Sequence, residues 1–478
     1  MNKSQNINRK KTVIRSLKAP IKLAIRPSGN KKGQTYRTVF MRDRDRILYS
    51  KAFRRLSGKT QVYLSGNDDH QRTRLTHTLE VAQIAKTIAN SLKLDIDLTE
   101  AIALGHDIGH TPFGHAGERI LHQIMTPLSG DSSIIHQSPF DKLNKSNAYD
   151  DFFGFKHNLQ GVAVALTQEK DYDEYGLDLT NFTLFGMNIH SSAQYKKGDN
   201  SDKLGYYNQF KKYMMLENSQ SYAWSFEAFV VKEADEIAQR HHDLEDAIRG
   251  NLITKDEVLN QIKNLFSSYL TSYDRKLIRQ MKETNDSEMY ISLLSRLVVN
   301  LFVTQIVKCS IYNLNNFIIK NAITEKKFSE YIRTHSYKDV ENIIAYDEVD
   351  TGNKFRNNMK LFEQFVGTKV LSSYDIQTAD AHGQYIIMKL FQAYYKTPAQ
   401  LPDHCVMEFC KLTQKLNAVT VQDIIEKKGM GDLRFRFTDE WTKNLSTDED
   451  MYLMRVICNQ IAGMTDSYAQ KMYNKLYS

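Results

Sequence analysis

Apolar residues return along this chain with a helical period. After the alternating charges Arg42-Asp43-Arg44-Asp45-Arg46, apolar side chains follow at Ile47, Leu48, Ala52, Phe53 and Leu56. That spacing suits a helix with one buried stripe. From Thr76 to Leu94 the apolar set is Leu79, Val81, Ile84, Ala85, Ile88, Ala89 and Leu92, an amphipathic helix with His77 in its first turn. Thr99 is placed to N-cap a following helix over Glu100 to Asp107, which stops before Gly109 and Pro112. Phe226 to Arg249 carries Ala228, Val231, Ala234, Ile237 and Ala238 on one face and a dense polar face opposite. Several further helices are expected over residues 255–345, with late ones over Tyr385–Tyr395 and Tyr452–Tyr477. No hairpin series argues for a large sheet, and no internal repeat is visible.

Two stretches, residues 126–155 and 187–222, are rich in Ser, Asn, Asp, Gly, Lys and Tyr and read as loops or insertions. The pattern divides the chain into a basic arm (1–34), a core (35–250) carrying those insertions, and a helical region (251–478) expected to pack on the core and complete its site.

The length of 478 residues is a prior for about three domains, or for one large helical body. Only 7 prolines are present, few against the usual ~5%, which favours long helices. Hydrophobic content of 41% is ample for a core. The net charge of +8 leans weakly toward an anionic partner, a nucleotide or nucleic acid. Residues 1–40 hold eleven Lys/Arg and no acid, the pattern of a flexible tail. A nucleic-acid or subunit contact and an organelle-targeting peptide are the alternatives. No run of about 18 apolar residues argues for a membrane span, and no apolar signal-peptide core lies near Met1, so secretion is not expected. The four cysteines lack CxxC spacing and read as free thiols of a cytoplasmic protein.

The chemistry concentrates in Gly105-His106-Asp107-Ile108-Gly109-His110-Thr111-Pro112-Phe113-Gly114-His115. His106 and Asp107 offer a divalent metal an imidazole nitrogen and a carboxylate oxygen, and two more histidines follow. A core helix has little use for three imidazoles so close together, because each needs polar partners once buried. A catalytic metal needs three or four protein ligands and an open position. His77 joins from the helix before. Asp235 is the best fourth candidate, because Glu233, Asp235 and Glu236 lie on a helix whose other face is apolar. A mixed nitrogen and oxygen set suits Mn, Fe, Mg or Zn.

Further blocks extend the pattern: Phe53-Arg54-Arg55-Leu56 through Lys59-Thr60-Gln61-Val62; Arg72-Thr73-Arg74-Leu75-Thr76-His77; His106 to Glu118; His157-Asn158-Leu159-Gln160; Glu233-Ala234-Asp235-Glu236-Ile237-Ala238; and Ile461-Ala462-Gly463-Met464-Thr465-Asp466. In order and length they resemble the HD-domain metal phosphohydrolases. More narrowly, they are similar to the dGTPase-like deoxynucleoside triphosphate triphosphohydrolases. The resemblance implies an all-α fold and His77, His106, Asp107 and Asp235 as metal ligands. It implies one divalent metal per subunit, Mn or Mg first and Fe or Zn as alternatives. The implied reaction is hydrolysis of dGTP, or of a broader set of dNTPs, to deoxynucleoside and tripolyphosphate. A nucleotide effector and a homo-hexamer are implied too, and single-stranded nucleic acid is a further candidate partner for the basic surface.

The resemblance assigns substrate contacts to Arg54, Gln61, Arg74 and His110, with Gln61 at a position that meets the sugar. Arg74 beside His77 can fork onto phosphate oxygens; a structural ion pair is its other reading. His115 and Glu118 are three apart, so on a helix their side chains meet. A carboxylate beside an imidazole fixes its tautomer and suits proton transfer. His157 is a further proton or phosphate contact. Three departures stand out. Gln239 occupies the position where the family often has a Tyr that blocks a 2′-hydroxyl. The late block begins Asn459-Gln460 where the family has Asp-Tyr. Met187-Asn188-Ile189-His190 lacks a Lys-Tyr-Pro run. Two other readings stay open: an HD hydrolase of alarmones or cyclic nucleotides, and a nucleotide or nucleic-acid sensor without turnover.

Overall fold

The computed structural model describes residues 17–29, 36–61, 72–126, 154–170, 175–191, 205–370, 372–413, 426, 429–443 and 445–477. The start of the basic arm, nearly all of the first expected insertion and residues 192–204 of the second lie outside the described residues. The fold is all-α: no strand occurs among the described residues, only isolated bridges at Thr60–Thr73 and Met215–Tyr222.

Local signals start the helices that matter for the site. Ser50 ends α1 (Val39–Tyr49) and caps α2 (Lys51–Arg55) by accepting from the Phe53 amide. α3 (Arg74–Leu92) opens on a capping box between Thr73 and Thr76. α4 (Ile96–Gly105) starts one turn earlier than the periodicity predicts. Its N-cap is Asp95, whose carboxylate accepts from the Leu98 amide, and Thr99 instead donates its hydroxyl to the Asp95 carbonyl. A carboxylate ahead of Ile96 outcompetes a hydroxyl inside the first turn, because it meets free N–H groups at the positive end of the helix. Next come α5 (Gly114–Ile124), α6 (His157–Ala163), α7 (Asn181–Ile189) and α8 (Phe226–Arg249), the last with the bounds read from the sequence.

The helices expected over 255–345 are α9 (Lys255–Phe266), α10 (Ser272–Glu283), α11 (Ser287–Asn321) and α12 (Glu325–Thr334). They are followed by α13 (Lys354–Val370), α14 (Tyr374–Lys396), α15 (Asp403–Leu412) and α16 (Met430–Phe435). The final run is two helices, α17 (Thr447–Ala462) and α18 (Asp466–Tyr477), split at Gly463–Thr465.

α8 lies along α3 and also packs on α4, α7 and α11, so it spans the centre of the larger hydrophobic cluster. A second cluster joins Phe113, Ile120, Leu121 and Ile124, at and in α5, to apolar residues of α14, α15 and α17. One expectation needs correction. Residues 17–29 are not a free tail: Leu17, Ala19, Leu23 and Ala24 are buried, and Arg26 pairs with buried Asp43 at 2.7 Å. Apolar side chains and a partnered guanidinium outweigh the positive composition there. Among the described residues one helix, α11, is long and apolar enough by composition to cross a membrane. A core helix passes the same test, and Leu293, Leu297, Leu301, Phe302 and Leu314 of α11 are buried in the larger cluster against α8 and α10.

Buried Glu227, in the first turn of α8, accepts from the amides of Asp95 (2.8 Å) and Ala19 (3.2 Å) through one oxygen. Burial, with Asp95 adding to it, pushes its carboxyl up to about 7 from 4.5. The folded state therefore holds this proton more tightly than the unfolded chain, and stability is lost as pH rises through that window, by at most about 3 kcal/mol. Glu227→Gln keeps the acceptor and mimics the protonated acid. We expect it to melt near the wild-type temperature at pH 4.5 but a few degrees higher at pH 8. Equal shifts at both pH values in differential scanning calorimetry would contradict the assignment.

Candidate metal centre

The first turn of α3 places Arg74 and His77 on one face, three residues apart. His106 closes α4, and its Nδ1 lies 2.7 Å from the Ala103 carbonyl. A carbonyl only accepts, so Nδ1 donates to it, and Nε2 is the nitrogen turned to the gap, its lone pair open to a cation once the ring is neutral. That Nε2 is buried and has no hydrogen-bond partner. It lies 3.6 Å from Asp107 Oδ1 and 3.7 Å from Asp235 Oδ1. Nε2 of His77 lies 2.9 Å from the same Asp235 oxygen. α8 delivers Asp235 because Ala234, Ile237 and Ala238 are fully buried beside it, which turns its carboxylate toward α3 and α4. Two imidazole nitrogens and two carboxylate oxygens thus face one gap, with His77, His106 and Asp107 close enough together to hold an ion. A buried ring nitrogen without a hydrogen-bond partner, facing two carboxylates, fits a divalent cation.

The charges agree with such a donor set. Burial opposes ionisation of Asp107, but His106 and Arg74 outweigh it and hold the carboxyl well below the usual range. Burial pushes His106 down, while Asp107 and Asp235 raise it more, to about 9. Metal binding must therefore displace a proton from His106, and metal affinity rises with pH. Arg74, 2% exposed, gives one nitrogen to Asp107 Oδ2 at 2.7 Å. Its Nε and second terminal nitrogen are buried without partners.

A second cluster adjoins the first. His115 Nδ1 and His157 Nδ1 lie 3.2 and 3.0 Å from Glu118 Oε2, and Lys156 Nζ lies 3.4 Å from Oε1. Burial raises Glu118, but His157 and then His115 outweigh it, and the carboxylate stays charged. The His110 ring stacks on His157 at 4.3 Å. Burial, then Arg74, holds His110 well below the usual imidazole range. The loop before α5 can press on α6 because residue 109 is glycine: a Cβ there would sit 2.1 Å from the Gly161 amide nitrogen.

Both clusters open on one cavity of about 520 Å³, a size suited to a small-molecule ligand. Of the residues singled out in the sequence, Gln61, Arg74, His77, Asp107, His110, His115, His157 and Asp235 line it. His106 lies behind the ligand gap, and Glu118 lies behind His115 and His157. Arg54 is the exception. It is exposed and donates to the Tyr49 carbonyl at 3.1 Å, away from the cavity, because its helix face points to solvent.

The sequence reading missed His190. Its Nδ1 donates to the Met187 carbonyl at 2.6 Å, and its Nε2 lies 3.1 Å from His157 Nε2. Burial, followed by His106 and His157, pushes it down to about 3. His190 sits in a Ser/Asn-rich stretch with no periodic signal. Tyr337, Lys232 and Asn188 also line the cavity, and no local spacing announces them. Glu80 and His242 were missed too, although both lie at helical spacings, three and seven residues, from His77 and Asp235.

An HD-domain model matches residues 74–174, which includes Arg74, His77, His106 and Asp107 but not Asp235. A phosphohydrolase-associated-domain model matches residues 349–432 and 421–475. The chain is 30% identical over 446 residues to a protein of Rickettsia felis called a deoxyguanosinetriphosphate triphosphohydrolase-like protein, covering 93% of each chain. A protein of the same name from Bordetella pertussis is 30% identical over 443 residues, 92% of this chain and 90% of its own. Another, from Agrobacterium fabrum, is 30% identical over 448 residues, 93% and 90%.

Proposed function

This chain belongs to the HD-domain family of deoxyguanosinetriphosphate triphosphohydrolase-like proteins, and we propose that it hydrolyses deoxynucleoside triphosphates to deoxynucleoside and tripolyphosphate. The observation that carries this reading is the partnerless buried Nε2 of His106. It faces the same gap as His77, Asp107 and Asp235, beside an Arg74 with two free buried nitrogens. A divalent ion, when bound by these four residues, supplies Lewis acidity at a phosphate oxygen and acidifies water.

The chain's own residues do the rest. In the proposed reaction water adds to the α-phosphorus, the bond to O5′ breaks, and O5′ must gain a proton. The free nitrogens of Arg74 meet phosphate oxygens, and Lys232 adds positive charge at the cavity wall. Glu118 orients both His115 and His157. Because the His190 acceptor faces His157 Nε2 and Glu118 faces its Nδ1, the hydrogen bonds call for a proton on each nitrogen of His157. His115, 54% exposed at the mouth, is the group free to move and to deliver a proton to O5′. Gln61 offers an amide to the sugar. Gln239 and Tyr337 line the same cavity, so any exclusion of a 2′-hydroxyl falls to residues other than a tyrosine at 239. A cytoplasmic homo-oligomer belongs to the same proposal, and a light-scattering mass of one subunit would count against the assembly.

Incubation with Mn²⁺ and each dNTP and NTP tests the reading. Tripolyphosphate release is expected; pyrophosphate or a linear mononucleotide as product points to another HD-type hydrolase. No turnover, together with tight DNA binding, points to a sensor. Asp107→Ala should abolish turnover while the helical circular dichroism stays intact, and near-wild-type activity would remove the metal-centred mechanism. His115→Ala should lower kcat by about 10²–10⁴-fold with little change in Mn²⁺ binding, and an unchanged kcat would remove His115 from proton transfer.

A further inference from the structure

We propose that Glu80 and His242 form a positioning pair that holds His77 in the one tautomer able to ligate a metal ion. The inference rests on the metal-centre reading above and extends it outward from the ligand. To ligate through Nε2, His77 must carry its ring proton on Nδ1, and a buried N–H needs an acceptor. The atom placed for this is Nδ1 of His242, at 3.3 Å, with the two rings edge to face at 5.2 Å. His242 is fully buried on α8, two turns beyond Asp235. For its Nδ1 to accept, its own proton must sit on Nε2, and that nitrogen is hydrogen-bonded to Glu80 Oε2. A carboxylate only accepts, so it settles the direction of the whole chain: His242 donates to Glu80, His77 donates to His242, and His77 Nε2 is left with its lone pair. Glu80 comes from α3 itself, one turn after His77, and His241 Nε2 lies 3.2 Å from the same oxygen. The helices that carry His77 and Asp235 therefore each supply one member of the pair.

The same side chains suggest a rival use. Glu80, His241 and His242 are close enough to hold an ion of their own. Proton counting separates the two uses. An ion there would need the lone pair of His242 Nε2, which moves its proton to Nδ1, facing His77 Nδ1. His77 would then carry its proton on Nε2 and could not ligate beside Asp235. With the partnerless His106 Nε2 marking the inner gap, the outer cluster serves as support. Such outer partners typically account for about 10–100-fold in metal affinity.

The test is Mn²⁺ binding by titration calorimetry on the full chain, independent of any substrate. Wild type should bind one Mn²⁺ per chain. Glu80→Leu should weaken binding about 10–100-fold at unchanged stoichiometry. Glu80→Gln, whose amide oxygen still accepts from His242, should lose much less. Turnover by Glu80→Leu should recover at proportionally higher Mn²⁺, which a merely structural defect would not allow. Glu80 lies at the protein surface, 38% exposed, so neither variant empties a core site. An unchanged Kd in Glu80→Leu, or two ions in wild type falling to one in that variant, would overturn the positioning role alone. Failure of wild type to bind Mn²⁺ would overturn the metal centre and this inference with it. Normal Mn²⁺ behaviour without dNTP turnover would overturn only the proposed reaction.

Discussion

Lone pairs facing one another across a buried gap are the constraint on which this structure turns. α3, α4 and α8 each bring an acceptor to the same point: His77, His106 with Asp107, and Asp235. Four acceptors so close repel one another unless a proton or a cation lies between them. Hydrogen bonds behind the ligands, from His106 to the Ala103 carbonyl and from His77 toward His242, turn the lone pairs inward. Burial of the apolar faces of α3 and α8 holds the three helices at that distance despite the repulsion.

The C-terminal half braces this arrangement from the side. Asp466, at the start of α18, accepts from the amide and hydroxyl of Thr60 at 2.9 and 2.6 Å and from the Phe113 amide at 3.0 Å. Phe113 adopts a left-handed backbone at φ 57, unusual for an aromatic residue, and the Asp466 contact helps stabilise it. Buried Lys59 donates to the carbonyls of His110 and Ala462, tying the same loop to the end of α17. Burial, then Arg55, pushes this amine down to about 7. The loop carrying His110 and the start of α5, where His115 sits, is therefore held from both halves of the chain.

The two clusters on the cavity divide the chemistry by charge. The inner one is rich in acceptors and suits a cation. The outer one gathers His115, His157 and Lys156 around the single carboxylate of Glu118, leaving donors toward the cavity. Arg74 sits at the junction, one nitrogen committed to Asp107 and two uncommitted. An anionic ligand lying between an ion and these donors would meet attraction along its length.

Much of the fold was legible because helical periodicity is a local property. The bounds of α8, the stripe of α3 and the His115–Glu118 contact all follow from spacings within two turns. Local pattern misled where two signals competed: Thr99 against Asp95 as a cap, positive composition against buried apolar side chains in residues 17–29, and Arg54 within a matching motif but on an outward face. His106, Asp107 and His77 could be proposed from the chain alone because donors so dense have few other uses. Asp235 needed the apolar face of its helix as a guide. That His190 meets His157, or that Tyr337 lines the cavity with Gln239, has no signature in sequence. Such contacts depend on how α6, α7 and α8 cross, and crossing is decided by the summed packing of many side chains, not by any short spacing.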